Sequence, residues 1–200
     1  MPTQAERRAA TRVALLDAAA QLFAERGVHD STVDAIALQA GRTSGALYDH
    51  FGGKEGLLFA LLEGWVEDVA VLIAAELVHT ENLPERMSTL WRNISDPSVG
   101  NGRWIALEHE LWSYAVRNPT AADRLVARYR EAWDGLRELV DDDDPATGPS
   151  IDPSVGPTVL GLVLGLEMMR RVDATAVNDT IAVAALCAVV SSATREATPA

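Results

Sequence analysis

The chain has 200 residues, 48% of them hydrophobic and 23% charged, with a formal net charge of -12. Such a chain has room for one or two domains around a sizeable core, and its acidity argues against broad, non-specific attraction to polyanions. The single cysteine, Cys187, excludes an intrachain disulfide or a cysteine zinc site, and no window reaches the eighteen apolar residues that a membrane span needs.

The N-terminal stretch MPTQAERRAATR is polar and has no apolar core, so no secretory signal and a cytoplasmic location are expected. Charge is unevenly spread. Residues 1–55 carry six basic and seven acidic side chains, so nearly all of the negative charge lies beyond them, including the run Asp141 to Asp144. A near-neutral first third joined to an acidic remainder suggests two parts with different partners.

Helix signals dominate, and strand signals are almost absent. Residues 7–27 place Leu15, Ala18, Ala19, Leu22 and Phe23 at 3–4 spacing, with Gly27 as a natural stop. Ser31, followed by Asp34 three residues later, reads as the cap of a second helix that Gly41 closes. Thr43 can cap a third, SGALYDHF, which ends at Gly52-Gly53. From Lys54 a longer helix puts Leu58, Leu61, Leu62, Trp65, Val69, Leu72 and Ile73 on one stripe.

Further helices are predicted from Pro84 to about Ile94, over 103–116 and over 120–140, with SDPSVGNG (95–102) as a loop. Residues 141–157 are rich in proline, glycine and acids and read as a linker-like loop. Two strongly apolar helices follow, at about 158–172 and 178–194. The expected fold is all-α, with three short helices ahead of about six longer ones.

The stretch AGRTSGALYDHFGGKEGL (40–57) combines five glycines with the only lysine of the chain. A phosphate loop of the G-x-x-x-x-G-K-[ST] kind would need glycine where Tyr48 stands and a hydroxyl where Glu55 stands, and it would follow a strand. That reading fails at all three points. A helix-turn-helix fits better: a helix with small residues (Ala35, Ala37, Ala40), a tight turn at Gly41, and a second helix whose Gly45 and Ala46 leave room for close approach. Such a helix can sink into a DNA major groove. Tyr48 and His50 can donate to phosphate, Thr43 and Ser44 sit at a helix N-terminus where anions bind well, and Lys54 adds a cation at the next one.

Residues 11–62 resemble the DNA-binding region of the tetracycline-repressor (TetR) family of bacterial transcriptional regulators. The elements that carry the resemblance are LLDAAAQLFAERG, STVDAIALQAG and TSGALYDHFGGKEGLL. It implies a three-helix DNA-binding domain at 1–53 and a helical ligand-binding and dimerisation domain at 54–200. The implied protein is a homodimer that binds an inverted-repeat operator in double-stranded DNA, most simply as a repressor, and is released by a small-molecule ligand. By position, Thr32, Thr43, Tyr48, His50 and Lys54 resemble the family's phosphate contacts, and Ser44, Gly45 and Ala46 fall where it meets base edges. Arg42 and Asp49 depart from the pattern. Arg42 could read a guanine or bind phosphate, whereas Asp49 could accept from a cytosine or simply hold a nearby base. Arg7, Arg8 and Arg12 could add backbone or minor-groove contacts, or form a solvated face.

Trp104, Trp112, Tyr129 and Trp133, with Met87, Trp91 and Trp65, are ordinary core candidates one by one. The resemblance implies that some of them line a ligand cavity with Glu108 as a polar handle. The last two helices are apolar all round, and Gly161, Leu162, Gly165, Met169, Ala184 and Ala188 are the expected dimer interface, two helices from each subunit making a four-helix bundle, with an intramolecular core as the alternative.

No cofactor, metal or membrane partner is expected. His79 and His109 lack i,i+4 partners, Glu108, His109 and Glu110 are adjacent and point in different directions, and no H-E-x-x-H or G-x-S-x-G occurs, so an enzyme is not expected. The competing reading is an acidic helical module that binds another protein through its N-terminal motif.

Overall fold

The computed structural model describes residues 1–96, 104–140 and 152–196, with side chains to Ala193. The described residues form nine helices and no strand: α1 (Gln4–Asp30), α2 (Val33–Gln39), α3 (Ser44–Phe51), α4 (Lys54–Leu77), α5 (Leu83–Ser95), α6 (Trp104–Ala115), α7 (Pro119–Val140), α8 (Val155–Val172) and α9 (Asp179–Glu196). Most of the linker-like stretch, with its acidic run, and most of the predicted 95–102 loop lie outside the described residues. The all-α architecture is the one the sequence predicts.

Packing divides the helices into two compact units, with a boundary inside α4. The first unit holds α1, α2, α3, the part of α4 up to Asp68, and α6 up to Tyr114. Leu15, Leu22, Phe23, Ile36, Leu47 and Leu57 are among its buried side chains. Leu15, Leu22 and Phe23 come from the 3–4 spacing that sequence periodicity reveals in α1, and each of the six contributes about 1.5–3 kcal/mol through loss of water contact.

The second unit holds the rest of α4 with α5, α7, α8 and α9. Its core joins Met87, Leu90 and Trp91 of α5 to Val159 and Val163 of α8 and to Leu186 and Val190 of α9. Among its helices, α7 packs on α8, α5 on α9, and α8 on α9.

Three boundaries differ from expectation. α1 begins at Gln4 because Thr3 and Glu6 form a complete capping box. α8 begins at Val155, three residues before the expected start. Pro157 is tolerated in a first turn, where its missing N–H has no helical partner, and a Cβ on Gly156 would lie 2.4 Å from the Trp133 carbonyl oxygen. That close approach of α8 to α7 is a tertiary fact. The third difference is the cap of α2. Thr32 holds that position and accepts from the Ala35 N–H at 3.1 Å, while the Ser31 hydroxyl is buried and donates to the Gly27 carbonyl at 2.8 Å.

Candidate nucleic-acid interface

The turn between α2 and α3 is built almost entirely by local chemistry. Gly41 has φ 63°, a conformation that other residues adopt only with strain. With the chain turned there, the Gly41 N–H donates to the Leu38 carbonyl at 3.0 Å and the Arg42 N–H to the Ala37 carbonyl at 2.8 Å. This pair of bonds is a Schellman closure, which satisfies carbonyls left open at the end of α2.

Two residues later Thr43 opens α3 by accepting from the Ala46 N–H at 3.2 Å. The Ser44 hydroxyl donates to the Asp34 carboxylate of α2, tying the start of α3 back across the turn. Leu47 is fully buried beneath α3, and its outer face shows exposed Gly45 and a 56% exposed Tyr48. Ala46 and His50 are half-buried, and Gly52 ends the helix by donating its N–H to the Tyr48 carbonyl at 2.8 Å. The result is a short helix fixed at both ends, with a side-chain-poor face toward solvent.

The corner between α1 and α2 is held from two other elements. Gly27 breaks α1 with φ 78°, ψ 164°. The next peptide is gripped from both sides: the Val28 N–H donates to Glu110 Oε2 of α6 at 2.8 Å, and Lys54 Nζ of α4 donates to the Val28 carbonyl at 2.7 Å and the His29 carbonyl at 3.1 Å. An ammonium has three donors, so two of the three N–H groups of Lys54 position the corner and one points elsewhere. Tyr114 of α6 adds a bond to Glu55, 2.9 Å from its hydroxyl. Sequence reading singled out Lys54 but gave Glu110 no role, because the Val28–Glu110 bond spans 82 residues.

Electrostatics around α3 are set by α1. The His50 imidazole is held below its ordinary range, first by burial, then by the guanidinium groups of Arg8 and Arg12, with Asp49 pulling the other way. Arg12 lies over the Phe51 ring, 4.8 Å from its centroid. Arg42 is exposed and donates to its neighbour's carbonyl, Gly41 O, at 3.1 Å. No ion pair joins it to Asp49.

The residues expected around a ligand are divided between the units. Trp65, Trp104, Glu108 and Trp112 belong to the first, where Trp104 and Glu108 are buried and Trp112 is half exposed, stacked on His109 with ring centroids 6.0 Å apart. Met87, Trp91, Tyr129 and Trp133 belong to the second. There Met87 and Trp91 are core, and half-buried Tyr129 and Trp133 form a tilted pair at 6.4 Å. On α8 and α9, Gly161, Gly165, Met169, Ala184 and Ala188 are exposed and Leu162 is partly buried against the core.

A short helix capped by Thr43, clipped to its predecessor by a Schellman turn and open along Gly45, is a helix-turn-helix. Residues 15–61 match the family described as bacterial regulatory proteins, tetR family. The HTH-type transcriptional repressor KstR2 of Rhodococcus jostii (strain RHA1) is 33% identical over 133 residues, which are 64% of this chain and 63% of that protein. The match thus spans less than two thirds of that relative's length. A crystal structure of a TetR-family transcriptional regulator from Rhodococcus sp. superposes with a TM-score of 0.73 at 21% identity, over 93% of this chain and 99% of the other. The SmeT–triclosan complex superposes with a TM-score of 0.63 at 19% identity, over 92% and 91%. Residues 15–61 are thus a helix-turn-helix region of the tetR-family kind, and the chain shares the fold of solved TetR-family regulators.

Proposed function

We propose that this protein is a DNA-binding transcriptional repressor that binds an inverted-repeat operator as a homodimer and releases it when a small molecule binds. The observation that carries this reading is the braced α3, whose open face around Gly45 and Tyr48 suits entry into a major groove. Thr32, Thr43, Tyr48, His50 and Lys54 are assigned to phosphates, and Arg42, Ser44, Gly45 and Ala46 to the groove. Kinship with KstR2, a transcriptional repressor, supports the sign of regulation.

Dimerisation is assigned to the outer faces of α8 and α9. Both helices bury one face in the core and leave Gly161, Gly165 and Met169, or Ala184 and Ala188, exposed. A Cβ at Gly161 or Gly165 would meet nothing within 4 Å, so a second subunit could approach the backbone closely. Small-molecule control is supported by the shared fold of SmeT in its triclosan complex. In the second unit the half-buried Tyr129 and Trp133, outside the buried core cluster, remain assigned as ligand candidates. In the first, Trp65, Trp104, Glu108 and Trp112 remain assigned as ligand candidates. Whatever the ligand, its coupling to DNA is reciprocal.

The test is a gel shift with the duplex upstream of the protein's own gene. Competitor-resistant, salt-sensitive binding that Gly45→Glu abolishes is expected. Folded protein that binds no such fragment would favour the acidic protein-binding module instead. Gly161→Arg should yield a folded monomer in sedimentation, and an unchanged dimer would move the interface elsewhere.

A further inference from the structure

The face of α1 that carries buried Leu15, Ala19 and Leu22 continues toward its N-terminus, at the same 3–4 spacing, to Arg12 and Arg8. Two guanidinium groups therefore stand where the helix leaves its core and overhangs the last turn of α3. Arg12 is stacked on Phe51 at 4.8 Å, and the His50 ring lies 6.0 Å from that same ring. Neither arginine has a carboxylate partner among the described residues. Glu6, the acid nearest to Arg8 in sequence, is committed to the Thr3 N–H in the capping box. Asp49 is the one acidic group that acts on His50. In a chain of net charge -12, two guanidinium groups without a carboxylate partner, gathered beside the end of α3, suit an anion.

We infer that Arg8 and Arg12 of α1 form, with His50 at the end of α3, a second phosphate-binding patch that takes up a proton when DNA occupies it. The inference rests on the DNA-binding reading above and deepens it. An eight-residue α3 is about 12 Å long, close to the width of a major groove, about 12 Å. Thr43 and Ser44 stand at one end of α3, and the patch stands at the other. A helix lying across the groove then meets phosphate at both ends, on opposite walls.

The proton follows from the charges. In the free protein, burial and the two guanidinium groups hold the His50 imidazole below its ordinary range and so favour its neutral form. A phosphate between them offsets that repulsion and favours the imidazolium. As pH falls from 8, the bound form protonates first, so affinity rises. Once pH is low enough for the free protein to protonate as well, the gain stops. Within that window log K changes by up to about one per pH unit.

The test compares the full-length protein with Arg8→Gln, Arg12→Gln, the double variant and His50→Gln. NMR titration of the free protein should show His50 moving up toward its ordinary range in the double variant. An unmoved His50 overturns the patch without touching the DNA-binding reading. Binding to the upstream duplex and to a random-sequence duplex at low salt is then measured against salt and pH. Each arginine substitution should lower the log–log salt slope by about 0.9, and His50→Gln should remove its part of the pH dependence. If Arg12 only stacks on Phe51, its variant will melt earlier with an unchanged salt slope, and the patch is wrong. Proton-linked binding to the random duplex without specific binding upstream would uphold the patch and sink the operator reading.

Discussion

The ammonium of Lys54 lies 2.7 Å from the carbonyl oxygen of Val28, joining the first residue of α4 to the end of α1. The only lysine of the chain is thus part of the frame that aims α3 as well as a candidate phosphate ligand. Lys54→Met should lower stability by about 1–2 kcal/mol, the range for hydrogen bonds to a charged group with partial exposure. It should also weaken DNA binding. Urea denaturation and the gel shift measure the two effects, and a loss of affinity at unchanged stability would show that the carbonyl contacts carry no weight.

Glu110 grips the other side of the same peptide. Glu110→Ala leaves the Val28 N–H without its carboxylate and should cost about 1 kcal/mol, with faster hydrogen exchange at that amide. Glu110→Gln keeps an acceptor oxygen and should recover most of the loss. Equal exchange in all three proteins would mean that the corner holds without α6.

Glu167 is fully buried in α8 and accepts from Arg170 Nε and Arg171 Nε, both at 2.9 Å. Arg170 also donates to the Ser95 carbonyl at 2.6 Å and lies over the Trp91 ring, whose indole N–H donates to Asp179 at 2.8 Å. One guanidinium therefore links α5 and α8 and stands beside Asp179, the first residue of α9. Arg170→Ala should cost about 2 kcal/mol, because the Ser95 carbonyl loses its charged donor and buried Glu167 keeps only Arg171. Arg170→Lys keeps charge but cannot span the same set, so its melting temperature should fall between the two. A Lys variant as stable as wild type would reduce the network to simple charge balance.

Cys187 is packed against the core of the second unit, and burial pushes its thiol above the ordinary range. A raised pKa means less thiolate at any given pH below it, so reaction with a maleimide at pH 8 should be several-fold slower than in the unfolded chain. Rate against pH should climb only at pH values above those where a free cysteine responds. Native labelling as fast as in urea would place the thiol at an open surface.

The helix-turn-helix was legible because its signals are local. Gly41 and Thr43 each act within a few residues, so their roles can be read from the letters. Even there, neighbours compete. Ser31 and Thr32 are both good caps, and the choice fell to Thr32 because the turn at Gly27 offers a carbonyl that Ser31 can reach. The ligand candidates were less legible, since a tryptophan in a core and one lining a cavity follow the same spacing. Trp91 and Trp112 look alike in sequence, yet one is buried and the other half exposed.

By itself the sequence determined the helices and the turn between α2 and α3, which rest on contacts between near neighbours along the chain. Tertiary structure alone decided that α6 braces the α1–α2 corner through Glu110, that Arg8 and Arg12 stand beside His50, and which faces of α8 and α9 remain open. Those outcomes depend on groups that meet only after the chain has folded back on itself, and no local periodicity encodes where a distant carboxylate or guanidinium will land.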